Sequence, residues 1–237
     1  MIDLSNIEIY ACSMSDYFRT QAVGENKRSR TRGLLIDTAI DVFSAKGIEA
    51  ASVQEIAAVA GLANGTFYNH FKDKDDLAGC VSDAILLEIS KRLDEQMKDL
   101  DQGLIRFTVG SWAFLRIAVA TGEWASVLAA QYQRNPTGHA DVFRYMRADV
   151  EMGVTQAGLA VEVDNFLLEQ LAALMVSALQ RQLQVGLQLT LMQRVCEHML
   201  RVLGLTPSQA QKVFDKAALH PLVAGPTSLD ARALTLR

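Results

Sequence analysis

The sequence predicts an all-α fold in which a small three-helix unit precedes a larger helical body. Three observations carry this. Apolar residues recur at helical spacing along most of the chain, without an alternating strand pattern bounded by hairpin turns. Gly47, Gly61 and Gly204, with Pro136 and Pro207, punctuate that periodicity. Residues 52–77, SVQEIAAVAGLANGTFYNHFKDKDDL, compress two short helices around a single glycine.

Residues 1–26 have weak periodicity and mixed polarity and read as a flexible extension, with Met14 as a second possible translation start. The first helix is expected over about 31–46, with Leu35, Ile36, Ala39, Ile40 and Phe43 on one face and Gly47 as a left-handed C-terminal cap. Ser52 and Glu55 have capping-box spacing for a second helix ending at Gly61. Asn64 can cap a short third helix, and Asp73 a fourth running to about Lys98. Further helices are expected at about 102–120, 122–133, 138–158, 164–185, 188–203 and 207–218. Asn135-Pro136 separates two of them, Asp164 caps one, and Thr206-Pro207 with Gln209 forms another capping box. Boundaries follow: an extension at 1–26, a first domain at 27–80, a larger domain at 81–220 and a tail at 221–237.

Half of the 237 residues are hydrophobic and 21% are charged, which excludes a disordered chain and leaves apolar surface for a partner. A net charge of −4 excludes a uniformly basic nucleic-acid coat but not a local basic patch. Cys12, Cys80 and Cys196 are too scattered for a disulfide framework or a zinc site, so no metal or cofactor is expected. The N-terminal residues lack a secretory signal pattern, and Arg106 and Arg116 interrupt the most apolar stretch, 104–121. A cytoplasmic protein without membrane association is the expectation.

A helix-turn-helix needs a small residue where its helices cross and a residue tolerant of positive φ in the turn; Ala57 and Gly61 meet these needs. Ile56, Ala60, Leu62, Phe67 and Phe71 fall where such a unit packs inward, leaving the polar residues of the second helix on its outer side. An α-helix fits the major groove of DNA, and Asn64, Gly65 and Asn69 stand where base edges come within reach. Asn64 has an alternative as a helix cap, and of its neighbours Gln54 could be a solvated side chain, Tyr68 a partly buried ring, and His70 either an interhelical or a phosphate-binding group. Lys27, Arg28, Arg30 and Arg32 form a basic element that suits the DNA backbone or minor groove, or else a solvated tail. Over 27–76, these with Lys46, Lys72 and Lys74 balance Asp37, Asp41, Glu49, Glu55, Asp73, Asp75 and Asp76, so DNA binding would rely on segregated charge.

Residues 36–43, the 52–61 helix and NGTFYNHFKDKDDL together resemble the DNA-binding domain of the TetR family of bacterial transcriptional regulators. The resemblance covers roughly residues 30–80. It implies that Thr66, Tyr68 and Lys74 bind backbone phosphate and that Gln54, Gly65 and Asn69 occupy positions that vary with operator sequence. It also implies a homodimer on a palindromic double-stranded operator, a four-helix-bundle interface and a small-molecule effector. For the interface, the late helices offer Phe166, Leu171, Leu174, Met175, Val195 and Met199, which also suit a monomer core. For the effector pocket, Trp112, Arg116, Trp124, Tyr132 and Phe143 are candidates, with plain core packing as the alternative.

The resulting expectation is a sequence-specific, ligand-released transcriptional repressor. A non-specific DNA-architectural protein and an all-α enzyme are the alternatives. Against the enzyme, the chain has no phosphate loop, HExxH, nucleophile elbow or dinucleotide fingerprint, and Cys196, Glu197 and His198 are helix neighbours pointing apart.

Overall fold

The computed structural model describes Phe18 and residues 24–120, 122–135 and 143–224. Its helices are α1 (Lys27–Ala50), α2 (Val53–Val59), α3 (Asn64–Tyr68), α4 (Lys74–Gln96), α5 (Gly103–Ala120), α6 (Gly122–Arg134), α7 (Arg144–Ala157), α8 (Asn165–Val185), α9 (Leu189–Val202), α10 (Pro207–Ala217) and α11 (Pro221–Ala224). No strand occurs among the described residues. Most of the 1–26 extension, the start expected for the 138–158 helix and the tail from 225 lie outside them.

The chain forms two compact units, and their division is not a single cut in sequence. The smaller unit takes α1, α2, α3, α4 as far as Ile85, and α6; the larger takes α4 from Leu86, α5, and α7 to α11.

In the smaller unit, α1 begins at Lys27 because the Asn26 side chain accepts the Ser29 N–H at 3.0 Å. The basic segment 27–32 is therefore the opening of a helix, several residues ahead of its apolar face. Gly47 takes φ 83° as expected of a helix stop, but with ψ 158° it is a kink and not a left-handed cap; one more turn follows. Ser52 accepts the Glu55 N–H at 3.2 Å to start α2, and the Glu55 carboxylate meets Lys46 at 2.6 Å. Asp73 accepts the Asp76 N–H at 2.8 Å and starts α4. Helix α6 packs against α1 and carries Trp124, 1% exposed, into this core. Phe18 stacks on Trp124 with centroids 6.3 Å apart, and its N–H meets the buried Asp37 carboxylate at 2.9 Å. At the end of α6, Arg134 pairs with both Glu49 and Asp75.

In the larger unit, α5 crosses α7 closely enough that a Cβ on Gly103 would lie 2.2 Å from the Gly153 nitrogen. The Gln156 side chain spans the crossing, accepting the Gly103 N–H at 2.9 Å and donating to the Asp101 carbonyl at 2.7 Å. Arg106, which interrupts the apolar run of α5, is buried and pairs with Asp94 and Asp149 at 2.6 Å each while donating to the Met97 carbonyl. Arg116 is also buried and donates to the Leu222 carbonyl at 3.0 Å. Among the described residues no helix is long and apolar enough to cross a membrane. Asp164 caps α8 through the Leu167 N–H at 2.8 Å, and Thr206 with Gln209 forms a complete capping box at α10.

The expected dimer surface is corrected in part. Leu171 and Met199 are fully buried and Val195 is 8% exposed within the chain's own core, so these side chains have no surface to offer a partner. Leu174 and Met175 are half-buried, and Phe166 is 66% exposed.

Gly153→Ala would place its Cβ 2.7 Å from the Leu104 nitrogen, where backbone and not a pliant side chain must give way. The expected cost is about 2–3 kcal/mol of unfolding free energy. A denaturant titration with an unchanged midpoint would show that the crossing is looser than described.

Candidate nucleic-acid interface

The turn is built from the inside. Ile56, Ala57 and Phe67 are fully buried and Phe71 is 2% exposed, with the two phenylalanine rings 5.7 Å apart. Ala57 leaves room for the turn to fold back, its carbonyl accepting the Leu62 N–H at 2.8 Å. Gly61 takes φ 67°, a left-handed conformation that costs a residue with Cβ about 1–2 kcal/mol. Ala60 and Leu62 are half-buried at the edge of this packing.

Because Phe67 and Phe71 face inward, the polar residues of α3 face out. Tyr68 is 57% exposed, Asn64, Gly65 and Asn69 are exposed, Thr66 is half-buried, and Gln54 is exposed in the first turn of α2. Gln54, Asn64 and Asn69 make no side-chain hydrogen bond to another described residue. Gly65 has no positive φ, and a Cβ built on it meets nothing within 4 Å.

Three expected roles change here. Asn64 is not the cap of α3: Ala63 holds that position in an extended conformation, without a side-chain cap bond, so Asn64 becomes the first helical residue and its side-chain amide bonds to no other described residue. Lys74 is committed inside the unit, its ammonium donating to the carbonyls of Glu49 at 2.9 Å and Ala51 at 3.0 Å. One of its three donors remains for a phosphate. Arg28 donates to the Asn69 carbonyl at 3.3 Å, tying the start of α1 to the end of α3, whereas Arg30 is exposed.

His70 is half-buried beside Phe71, with Nδ1 buried and unbonded among the described residues. Burial lowers its pKa first, and the nearby Arg28 and Arg32 cations lower it further. Arg32 itself lies over the Phe71 ring, 4.7 Å from its centroid.

The aromatic residues expected around an effector are divided. Trp112, Arg116 and Phe143 belong to the larger unit, Trp124 and Tyr132 to the smaller, where Trp124 is core. Trp112 packs on Phe214 with centroids 5.5 Å apart, and its buried indole N–H has no partner among the described residues. Neither amide atom of Gln182, 1% exposed on α8 in the same unit, has one either. Sequence reasoning missed Gln182, although a glutamine at a core-facing position of a helix is a readable signal. Cys196 is buried, which pushes its thiol pKa up to about 12 and makes it a poor nucleophile, while its neighbour His198 is exposed. No metal-holding cluster of His, Cys, Asp or Glu occurs among the described residues.

Comparison with known proteins bears on the same segment. Residues 35–79 match the model for bacterial regulatory proteins of the tetR family. The chain is 42% identical over 53 residues to the HTH-type transcriptional regulator AcrR of Shigella flexneri, covering 22% of this chain and 25% of AcrR. It is 29% identical over 72 residues to the HTH-type transcriptional repressor DhaR of a Mycobacterium species, covering 30% and 36% of the two chains. The matches thus span well under two thirds of these relatives' length. The fold likeness extends further: RolR in complex with resorcinol superposes with a TM-score of 0.62 at 21% identity, over 79% of this chain and 94% of RolR.

Two outcomes follow from this geometry. Lys74→Ala removes the donor that closes the α1 carbonyls, so it is expected to lower the stability of the free protein by about 1–2 kcal/mol, measurable by thermal melting without DNA. A variant that melts like the parent would return Lys74 to a purely surface role. His70, with its folded pKa below that of the unfolded chain, contributes stability that is complete above the ordinary histidine range and is lost as the pH falls below it. Melting is expected to drop between about pH 7.5 and about pH 5, and His70→Gln should shrink that drop.

Proposed function

We propose that this chain, whose helix-turn-helix domain belongs to the tetR family, is a homodimeric transcriptional repressor that binds a palindromic DNA operator and is released by a small molecule. The single observation that carries the reading is the outward polar face of α3, held out by two inward phenylalanines that leave Tyr68 57% exposed. Nothing in the fold of the free chain requires exposed Asn64, Gly65, Tyr68 and Asn69 in succession around one buried anchor. The major groove accepts a helix presented this way.

In this reading the Thr66 and Tyr68 hydroxyls and the third donor of Lys74 bind phosphate, joined by Arg28 and Arg30. Phosphate contacts fix register, and base edges supply the choice of sequence. So small a contact needs a second copy, and a twofold axis converts two half-sites into a palindrome. Support for self-association comes from exposed apolar side chains on α8 and α9: Phe166, Leu183, Val185, Leu189 and Val202.

Support for an effector comes from the larger unit. A buried polar group without a partner costs about 1–3 kcal/mol, and both the Trp112 indole and the Gln182 amide are in that state among the described residues. A bound molecule with matching donors and acceptors would remove the cost. It would release DNA by favouring a dimer arrangement whose two α3 helices no longer match successive major grooves.

Selection of bound genomic fragments with the full chain, followed by footprinting, tests the reading: a discrete protected palindrome is expected. Uniform protection of any duplex would instead make the chain a non-specific architectural protein. On the selected site, Tyr68→Phe should weaken binding about two- to tenfold without altering its salt dependence, whereas Arg30→Ala should lower the salt slope by about one. Light scattering is expected to give the mass of two chains, and a monomer mass would reject the homodimer.

A further inference from the structure

We infer that this chain reads adenines, and not guanines, in the major groove, through the exposed amides of Gln54, Asn64 and Asn69. The inference deepens the proposed function and rests on it.

Between Val53 and Phe71 the sequence holds no lysine or arginine, and its lone ionisable groups are Glu55, Tyr68 and His70. Glu55 is engaged by Lys46, and His70 is turned in against Phe71 with its basicity suppressed. Lys72, just past Phe71, and Arg30, on α1, are exposed but lie outside α2 and α3, and three other nearby cations have partners within the unit. Arg28 donates to the Asn69 carbonyl, Arg32 lies over Phe71 and reaches the Cys80 sulfur at 3.3 Å, and Lys74 closes the end of α1. Beside the Thr66 and Tyr68 hydroxyls, what remains on the exposed side of α2 and α3 for reading bases is a set of three carboxamides, and none of the three bonds to another described residue.

The chemistry of base edges then selects. Guanine shows two acceptors in the major groove, O6 and N7, which a guanidinium or ammonium satisfies with two donors. Adenine shows an acceptor at N7 and a donor at N6, the complement of a carboxamide's NH2 and oxygen. An amide set without a cation therefore pairs with adenine in two bonds and with guanine in a mismatched geometry.

Gly65 supplies an independent observation. Glycine inside a helix costs about 1 kcal/mol relative to alanine, and it is retained normally for positive φ or for close packing. Neither applies, because its φ is ordinary and a Cβ there meets open space. The room beside Gly65 is thus of no use to the free chain. It lets backbone approach the groove floor, where the 5-methyl group of a thymine paired with adenine projects farthest.

Base analogues give the test. The full chain is taken through selection from random duplexes, and each purine in the best half-site is replaced singly by its 7-deaza analogue, which keeps pairing but removes the N7 acceptor. One or more 7-deaza-adenines are expected to weaken binding about tenfold, and 7-deaza-guanines less than about twofold. Asn69→Ala or Gln54→Ala should bind more weakly and lose the sensitivity at its own adenine. Gly65→Ala should melt no lower than the parent yet lose affinity for the selected site. Loss of binding with 7-deaza-guanine and indifference to 7-deaza-adenine would overturn the inference and leave the regulator intact. Equal binding to every duplex would remove the regulator itself, and the inference with it.

Discussion

The burial of Phe67 and Phe71 is the constraint on which the rest of the smaller unit depends. Phe67 on α3 and Phe71 just beyond its end, with rings 5.7 Å apart, take up the inner side of this segment and leave Tyr68 and Asn69 exposed, while His70 is half-buried beside Phe71. A five-residue helix has little stability of its own, because the nucleation cost is barely offset by so few hydrogen bonds. Its position is therefore set by its anchors and by Gly61, and not by helical propensity. Removing either ring would free the outward face along with the inner one.

A related economy governs the basic side chains. Several cations among the described residues are used inside the fold. Arg106 gathers two carboxylates and a carbonyl where α4, α5 and α7 converge, and burial pushes the Asp149 carboxyl pKa up against the lowering effect of that guanidinium. Lys74 and Arg134 likewise bind the end of α1 to elements that follow it. With these charges committed, and with no lysine or arginine between Val53 and Phe71, polar uncharged groups carry the outer surface of the turn.

Much of the local structure was legible because it is decided over a few residues. Gly61 demanded a positive φ, Ala57 had to be small, Ser52, Asp73, Asp164 and Thr206 cap helices through amides three positions on, and the structure has each of these. What the sequence did not disclose depends on distance. Asn64 has the right chemistry for a cap, but the chain arrives from the turn already one residue short, so Ala63 takes that place. Lys74 looked like a surface cation because its carbonyl partners lie more than twenty residues earlier. Leu171 and Met199 carry the same apolar signal whether they face their own core or a second chain, and only packing distinguishes the two. Gln182 could have been noticed as a glutamine on a core-facing position, but that its amide lacks a partner among the described residues depends on its neighbours.

The allegiance of α6 bears on how such a chain is made. Residues up to Ile85 supply the turn and its anchors, but their unit also includes α6, with Trp124 in its core and Arg134 paired to Glu49 and Asp75. All of α5, from the other unit, is threaded between the two in sequence. During synthesis the N-terminal portion thus leaves the ribosome without its last structural helix, and must wait for some fifty further residues before that core can close. The two units are consequently obliged to mature together, and neither can be excised from the polypeptide as one uninterrupted fragment.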